Sequence, residues 1–137
     1  MKNYSIIVLL LLGFVVGCGS NQVGAGGTVV FSDDGSPVTQ GTIIFSTPTF
    51  QARSDIDGQG RFTMGSFGAA DGLPPGTYNV TIVSTDAAED PDNPYSLIDL
   101  KYSSPRTSGI EITVDKTVKN LEIKVDRNPT PRSSRRR

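Results

Sequence analysis

From residue 28 to residue 125 the apolar positions alternate, form short runs and break at turn residues, a pattern of strands rather than helices. Gly27-Thr28-Val29-Val30-Phe31 is β-branched and aromatic and stops at Ser32-Asp33-Asp34-Gly35-Ser36-Pro37, which is turn chemistry. A second strand is predicted over 41–46, with Ile43 and Phe45 on one face. A third, over 50–55, meets Asp57-Gly58-Gln59-Gly60, a hairpin signal, and Phe62 and Met64 alternate on the strand beyond it. Leu73-Pro74-Pro75-Gly76 closes a Gly-rich connection and launches the strand 77–83. There Tyr78, Val80 and Ile82 share one face, while Asn79 and Thr81 share the other.

Residues 84–107 are the least regular part. Asp86 to Asp92 is acidic and broken by Pro91 and Pro94, which predicts an exposed loop, and a turn of helix is expected within 96–102. Ile110, Ile112 and Val114 then alternate with Glu111 and Thr113, and after Asp115-Lys116-Thr117 the same pattern returns in Leu121, Ile123 and Val125, predicting a second hairpin. Seven short strands in one stretch of this length predict an all-β fold, a single immunoglobulin-like sandwich.

The N-terminus has a different pattern. Lys2 is followed by an apolar run over 6–16 interrupted only by Gly13, the layout of a secretory signal peptide, and the run is shorter than the roughly 20 residues a spanning helix needs. Val15-Val16-Gly17-Cys18 resembles the bacterial lipobox, in which the Cys receives a diacylglyceryl group and becomes the first residue after cleavage. Cys18 is the only Cys of the chain, so lipidation gives a role to a thiol with no disulfide partner. The organisation predicted is a signal peptide over 1–17, a flexible Gly-rich tether over 18–27, the sandwich over 28–126 and a basic, disordered tail over 127–137.

Composition changes the picture in two ways. The chain has no His, which removes the usual general base and the commonest metal ligand. Its net charge of −1 hides a division: residues 18–126 carry 7 basic and 14 acidic side chains, whereas Arg127, Arg132, Arg135, Arg136 and Arg137 stand without an acid. Those arginines are candidates for contact with an anionic lipid surface or polymer, against the plainer reading of a solvated end. Export argues against nucleic acid as a partner.

Taken in order, Gly27-Thr28-Val29, Gly35-Ser36-Pro37-Val38, Gly41-Thr42-Ile43-Ile44-Phe45, Asp55-Ile56-Asp57-Gly58-Gln59-Gly60-Arg61-Phe62 and the stretch from Leu73-Pro74-Pro75-Gly76 to Ile82 resemble carboxypeptidase regulatory-like, or transthyretin-like, β-sandwich domains. The segment from Lys101 to Ile110 is similar to one found in small bacterial lipoproteins built from a single such domain. The resemblance implies a transthyretin-like (prealbumin-like) sandwich and, among the relatives, the non-catalytic members. The hydroxyisourate hydrolases of that fold use His and a C-terminal Tyr-Arg-Gly-Ser, and the intradiol dioxygenases hold iron with Tyr and His. This chain has no His and its last residues are Ser134-Arg135-Arg136-Arg137.

Other chemistry is sparse. No Ser stands three residues before a Lys, so the Ser-x-x-Lys arrangement is missing. Asp55, Asp57 and Asp71 are the weak candidates for a Ca²⁺ site, although position 66, where a calcium loop would close with an acid, is Ser. The competing reading is a tight turn whose Asp side chains bond their own backbone. Tyr95 and Tyr102 are the available stacking platform for a sugar ring. No cofactor is expected. The reading that follows is a membrane-tethered, non-enzymatic lipoprotein, exported and anchored to a bacterial membrane whose leaflet the sequence does not specify. Its partner would be an envelope protein or an anionic polymer. The alternative is an envelope-assembly subunit that pairs a strand edge with a larger protein. A hydrolase built on carboxylates is the remote third.

Overall fold

The structure, a computed structural model, describes residues 21–65, 72–83 and 97–129. Seven strands, β1 (Ala25–Phe31), β2 (Thr42–Ser46), β3 (Gln51–Asp55), β4 (Arg61–Thr63), β5 (Gly76–Val83), β6 (Ile110–Val114) and β7 (Val118–Val125), are joined by one 3-10 turn, Leu100–Ser103. They form a three-stranded sheet ordered β4-β1-β7 and a four-stranded sheet ordered β3-β2-β5-β6. The all-β sandwich expected from the alternation is present. An immunoglobulin constant domain keeps its first, second, fifth and fourth strands in one sheet; this chain shares the architecture but not that order.

Period-two alternation explains which side chains enter the core. Ile43 and Phe45 of β2, Tyr78, Val80 and Ile82 of β5, Phe62 of β4, Val29 of β1 and Ile123 and Val125 of β7 are all buried. Tyr78 and Phe62 stand on either side of Phe45, with ring centroids 6.0 and 6.1 Å away. Thr81 departs from the simple reading. It lies on the outer face of its strand yet is buried, because the Ser103–Pro105 region lies over that face.

Both predicted hairpins are arches between the sheets, the first of which keeps a hairpin's antiparallel contact where Asp57 N–H donates to the Arg61 carbonyl and Arg53 bridges Gly65. The turn at Asp57–Gly60 leads from β3, which pairs with β2, to β4, which pairs with β1. The turn at 115–117 leads from β6, which pairs with β5, to β7, which pairs with β1 in parallel. Alternation fixes that one face of each strand is apolar. Two strands that face one another across a core satisfy that pattern as well as two that lie side by side, so turn and pattern together leave the pairing open.

The tether boundary also moves. Ala25, Gly26 and Gly27, read from the sequence as part of a flexible coil, are the opening of β1. The glycines serve close packing there: a Cβ on Gly27 would sit 2.0 Å from the Leu121 carbonyl oxygen, and one on Gly26 would sit 3.0 Å from that of Phe62. Only a strand without side chains at these positions fits between β4 and β7 so tightly. The parallel register, from Thr28 opposite Glu122 to Phe31 opposite Val125, gives the sandwich two distinct poles. Both strands start at one and end at the other.

Candidate functional site

Among the described residues a dense polar cluster lies at the pole where β1 and β7 end. Asp126, one residue past β7, accepts hydrogen bonds from Ser32 Oγ and Lys101 Nζ, each at 2.6 Å, and from Tyr102 OH at 3.1 Å. Its own N–H donates to Tyr102 OH at 3.1 Å, and its carbonyl accepts from Asp99 N–H at 3.0 Å. Asp99 in turn caps the 3-10 turn by accepting from Lys101 N–H at 2.9 Å. Three distant parts of the chain meet on one carboxylate. The ammonium of Lys101, then the hydroxyls of Ser32 and Tyr102, lower the Asp126 pKa from 3.8 to about 2.

Arg127 completes the cluster from the other side. Its Nε donates to Asp33 at 2.8 Å, and its Nη2 donates to Asp34 and Ser36 Oγ, each at 3.0 Å. The guanidinium also lies over the Phe31 ring, 3.7 Å from the centroid. Asp34 is held at a pKa of about 2, chiefly by the Ser36 hydroxyl and N–H and then by Arg127. Arg127 is therefore joined to the sandwich, its Nε and Nη2 engaged by Asp33, Asp34 and Ser36. Arg132, Arg135, Arg136 and Arg137 lie outside the described residues, as does Cys18.

Of the candidate calcium ligands, Asp55 and Asp57 bond to different parts of the chain. Asp57 Oδ1 accepts from the N–H groups of Gln59 at 2.8 Å and Arg61 at 2.9 Å, and Oδ2 accepts from Arg61 Nε at 3.3 Å. Those backbone bonds, Arg61 first, lower its pKa. Asp55 pairs instead with the Thr42 hydroxyl at 3.2 Å across the β2–β3 ladder. Asp71 lies outside the described residues, among which no group of three or more potential metal ligands occurs. Asp57 thus serves the turn, and Asp55 the ladder beside it. Tyr102 is likewise corrected as a stacking platform, because it is 5% exposed and its hydroxyl is committed to Asp126. Tyr95 lies outside the described residues.

A groove of about 620 Å³ opens on the outer face of the four-stranded sheet, a feature the alternation pattern did not reveal. Ile44 and Thr81 form part of its floor, Thr47 and Phe50 one wall, and Ser103 and Pro105 the other. The Thr47 N–H donates to the Phe50 carbonyl at 2.8 Å, and Phe50 N–H donates to Thr47 Oγ1 at 3.0 Å, which fixes that wall as a tight turn. None of the lining residues is charged. The described lining offers hydroxyls beside apolar surface, which suits the binding of uncharged groups. The only sequence signal for it is Pro48 between Thr47 and Thr49, which marks a turn at that edge.

No family model, curated protein or solved structure matches the chain.

Proposed function

We propose that the protein is an exported lipoprotein, held to a bacterial membrane through a diacylglyceryl group on Cys18, whose sandwich serves as a non-enzymatic binding or structural module of the cell envelope. One observation carries this reading. The charged start, the apolar run over 6–16 and Gly17-Cys18 stand immediately before the folded body, whose bridge between Val23 and Leu73 is only five residues past Cys18. A lipid at that position places a compact domain directly against the membrane with a short connection. One acyl chain gives marginal binding, so the two or three chains of a lipoprotein supply a stable anchor.

The transthyretin-like character of the module is part of the same proposal. The motifs behind that resemblance fall at the positions that shape the sandwich: Gly27 where β1 meets β7, Asp57-Gly58-Gln59-Gly60 at the first arch, and Leu73-Pro74-Pro75-Gly76 at the start of β5. The non-enzymatic part is supported by how the polar groups are used. Asp34, Asp57, Lys101, Asp126 and Arg127 are each bonded within turns or across the pole, leaving them engaged in structure.

Intact-mass spectrometry of the membrane fraction tests the anchor. The expected product starts at Cys18 and carries the mass of a diacylglyceryl adduct, and Cys18→Ala loses it. Recovery of a wild-type chain that retains residues 1–17, or that is unmodified in the soluble fraction, rejects the reading.

A further inference from the structure

The groove on the outer face of the four-stranded sheet has a floor of defined register. Ser46 of β2 stands opposite Gln51 of β3, and two residues back Ile44 stands opposite Thr81 of β5. Side chains two apart on a strand share a face, so an amide and two hydroxyls lie beside an aliphatic side chain on one surface.

Both walls are fixed within the fold. The Thr47–Phe50 turn is closed by the Thr47 N–H on the Phe50 carbonyl, and the Phe50 ring stands edge-on to Tyr78 of the core, 6.2 Å between centroids. On the other side Ser103 Oγ donates to the Leu100 carbonyl at 2.7 Å, and Thr107 Oγ1 donates to the Lys101 carbonyl at 2.6 Å. Ser108 Oγ then ties this segment to the sheet by donating to the carbonyl of Val80, the residue before Thr81. Walls that are already ordered give up little conformational freedom when a ligand binds.

The lining narrows the ligand. Among the described residues Ser46, Thr49, Gln51 and Ser103 offer polar groups beside Ile44 and Phe50. An ion meets no counter-charge from these side chains, so its lost hydration is not repaid. A hydrocarbon chain would leave their hydroxyls and amide against apolar surface, without hydrogen bonds. An extended peptide adds a strand to an open edge, but the floor strands are interior: β2 lies between β3 and β5, and β5 lies between β2 and β6. A saccharide meets all three conditions. It carries no charge, its hydroxyls both donate and accept, and the C–H face of its ring lies on aliphatic or aromatic surface. The volume of about 620 Å³ falls within the roughly 300 to 1,000 Å³ of small-molecule sites.

We propose that this groove binds a short neutral saccharide, with a ring over Ile44 and against Phe50 and its hydroxyls bonded to Ser46, Gln51 and Ser103. This rests on the reading of the sandwich as a binding module and is independent of the anchor at Cys18.

The test is calorimetric titration of the purified full chain, kept in a detergent without a sugar headgroup, with cellotriose, maltotriose and chitotriose. Trigalacturonic acid is the charged counterpart, and a neutral proline-rich peptide is run in parallel. At least one neutral trisaccharide should bind saturably, and the acidic one should bind about tenfold more weakly or not at all, since its carboxylates lose water without a partner. Ser46→Ala and Gln51→Ala each remove one hydrogen bond and should weaken binding about three- to tenfold. Ser46→Tyr fills the floor with a side chain suited to strands and should abolish binding. Thr113→Ala, on β6 and outside the groove, should leave affinity unchanged, and denaturant unfolding checks that each variant is folded.

Failure of all three neutral sugars to bind overturns the proposal. Binding that survives Ser46→Tyr overturns it too, as does an acidic sugar that binds as tightly as the neutral ones. Binding of the peptide in place of the sugars overturns the saccharide assignment. Chromatography of the recovered sugar keeps the two readings apart. A cleaved sugar rejects the non-enzymatic module and leaves the groove assigned, whereas absence of binding overturns the groove proposal and leaves the Cys18 anchor to its own test.

Discussion

Asp126 concentrates the difference between what a residue is and what its neighbours make of it. In the sequence it is one of 14 acids and closes the last strand. In the fold its carboxylate joins Ser32, Lys101 and Tyr102, residues that lie 94, 25 and 24 positions away. No local pattern encodes such a meeting, which is why the cluster was not legible while Ile43, Phe45, Tyr78, Val80 and Ile82 were. The chemistry of the cluster predicts an acid-sensitive clasp. The Asp126 pKa falls from 3.8 to about 2 on folding, so its contribution to stability is complete above the unfolded value and is lost as pH falls through the folded one. Asp34 shifts in the same direction to about 2, chiefly through Ser36. Thermal melting temperature should therefore be nearly insensitive to these two groups above pH 4 and should decline between pH 4 and pH 2. Asp126→Asn removes one titrating group and should make that decline shallower while lowering stability at neutral pH. Parallel acid limbs in wild type and variant would count against the assignment.

Single strands were readable at the level of elements, and their partners were not. Alternation depends on neighbours two positions away, whereas the parallel β1–β7 ladder joins residues such as Val29 and Ile123 that no turn connects. The glycines at 26–27 illustrate the ambiguity in physical terms. Lack of a side chain makes a segment flexible when it stands alone and allows close approach when strands flank it, and composition alone does not separate these outcomes. The structure selects the second and so makes a definite prediction. Gly27→Ala would place a Cβ against the Leu121 carbonyl carbon and oxygen, at 2.7 and 2.0 Å. These are backbone atoms that cannot rotate away, so β1 and β7 must separate locally. The expected loss is at least the roughly 1 to 3 kcal/mol typical of overpacking, seen as a lower denaturant midpoint. Gly58→Ala is the control, since nothing lies within 4 Å of its Cβ position. If the two variants unfold at the same denaturant concentration, β1 is not packed against β7 as described.

The whole molecule has a polarity that neither its net charge of −1 nor its strand count conveys. Parallel pairing of β1 and β7 starts both strands at one pole and ends both at the other, where the Asp126–Arg127 cluster fastens the end of β7. Arg127 is tied to the body of the sandwich. Arg127 is bonded to Asp33, Asp34 and Ser36 and stacked on Phe31, whereas the arginines from 132 onward lie beyond the last described residue. A sequence reading that treats 127–137 as one tail expects its removal to leave stability unchanged. The fold divides that expectation at a specific residue. Removing residues 130–137 should leave the melting temperature where it is, because the strand prolongation through Asn128 and the clasp remain. Removing residues 127–137 should lower it, because Phe31, Asp33 and Asp34 lose their cation and the Ile98–Arg127 bridge is gone. Exposed ion pairs contribute little individually, so most of that loss should come from the bridge and the stacking and should persist at high salt, when screening has removed the Coulombic part. Identical melting curves for the two truncations would show that Arg127 is a passive end of the chain, and a loss abolished by salt would show that charge pairing alone holds it.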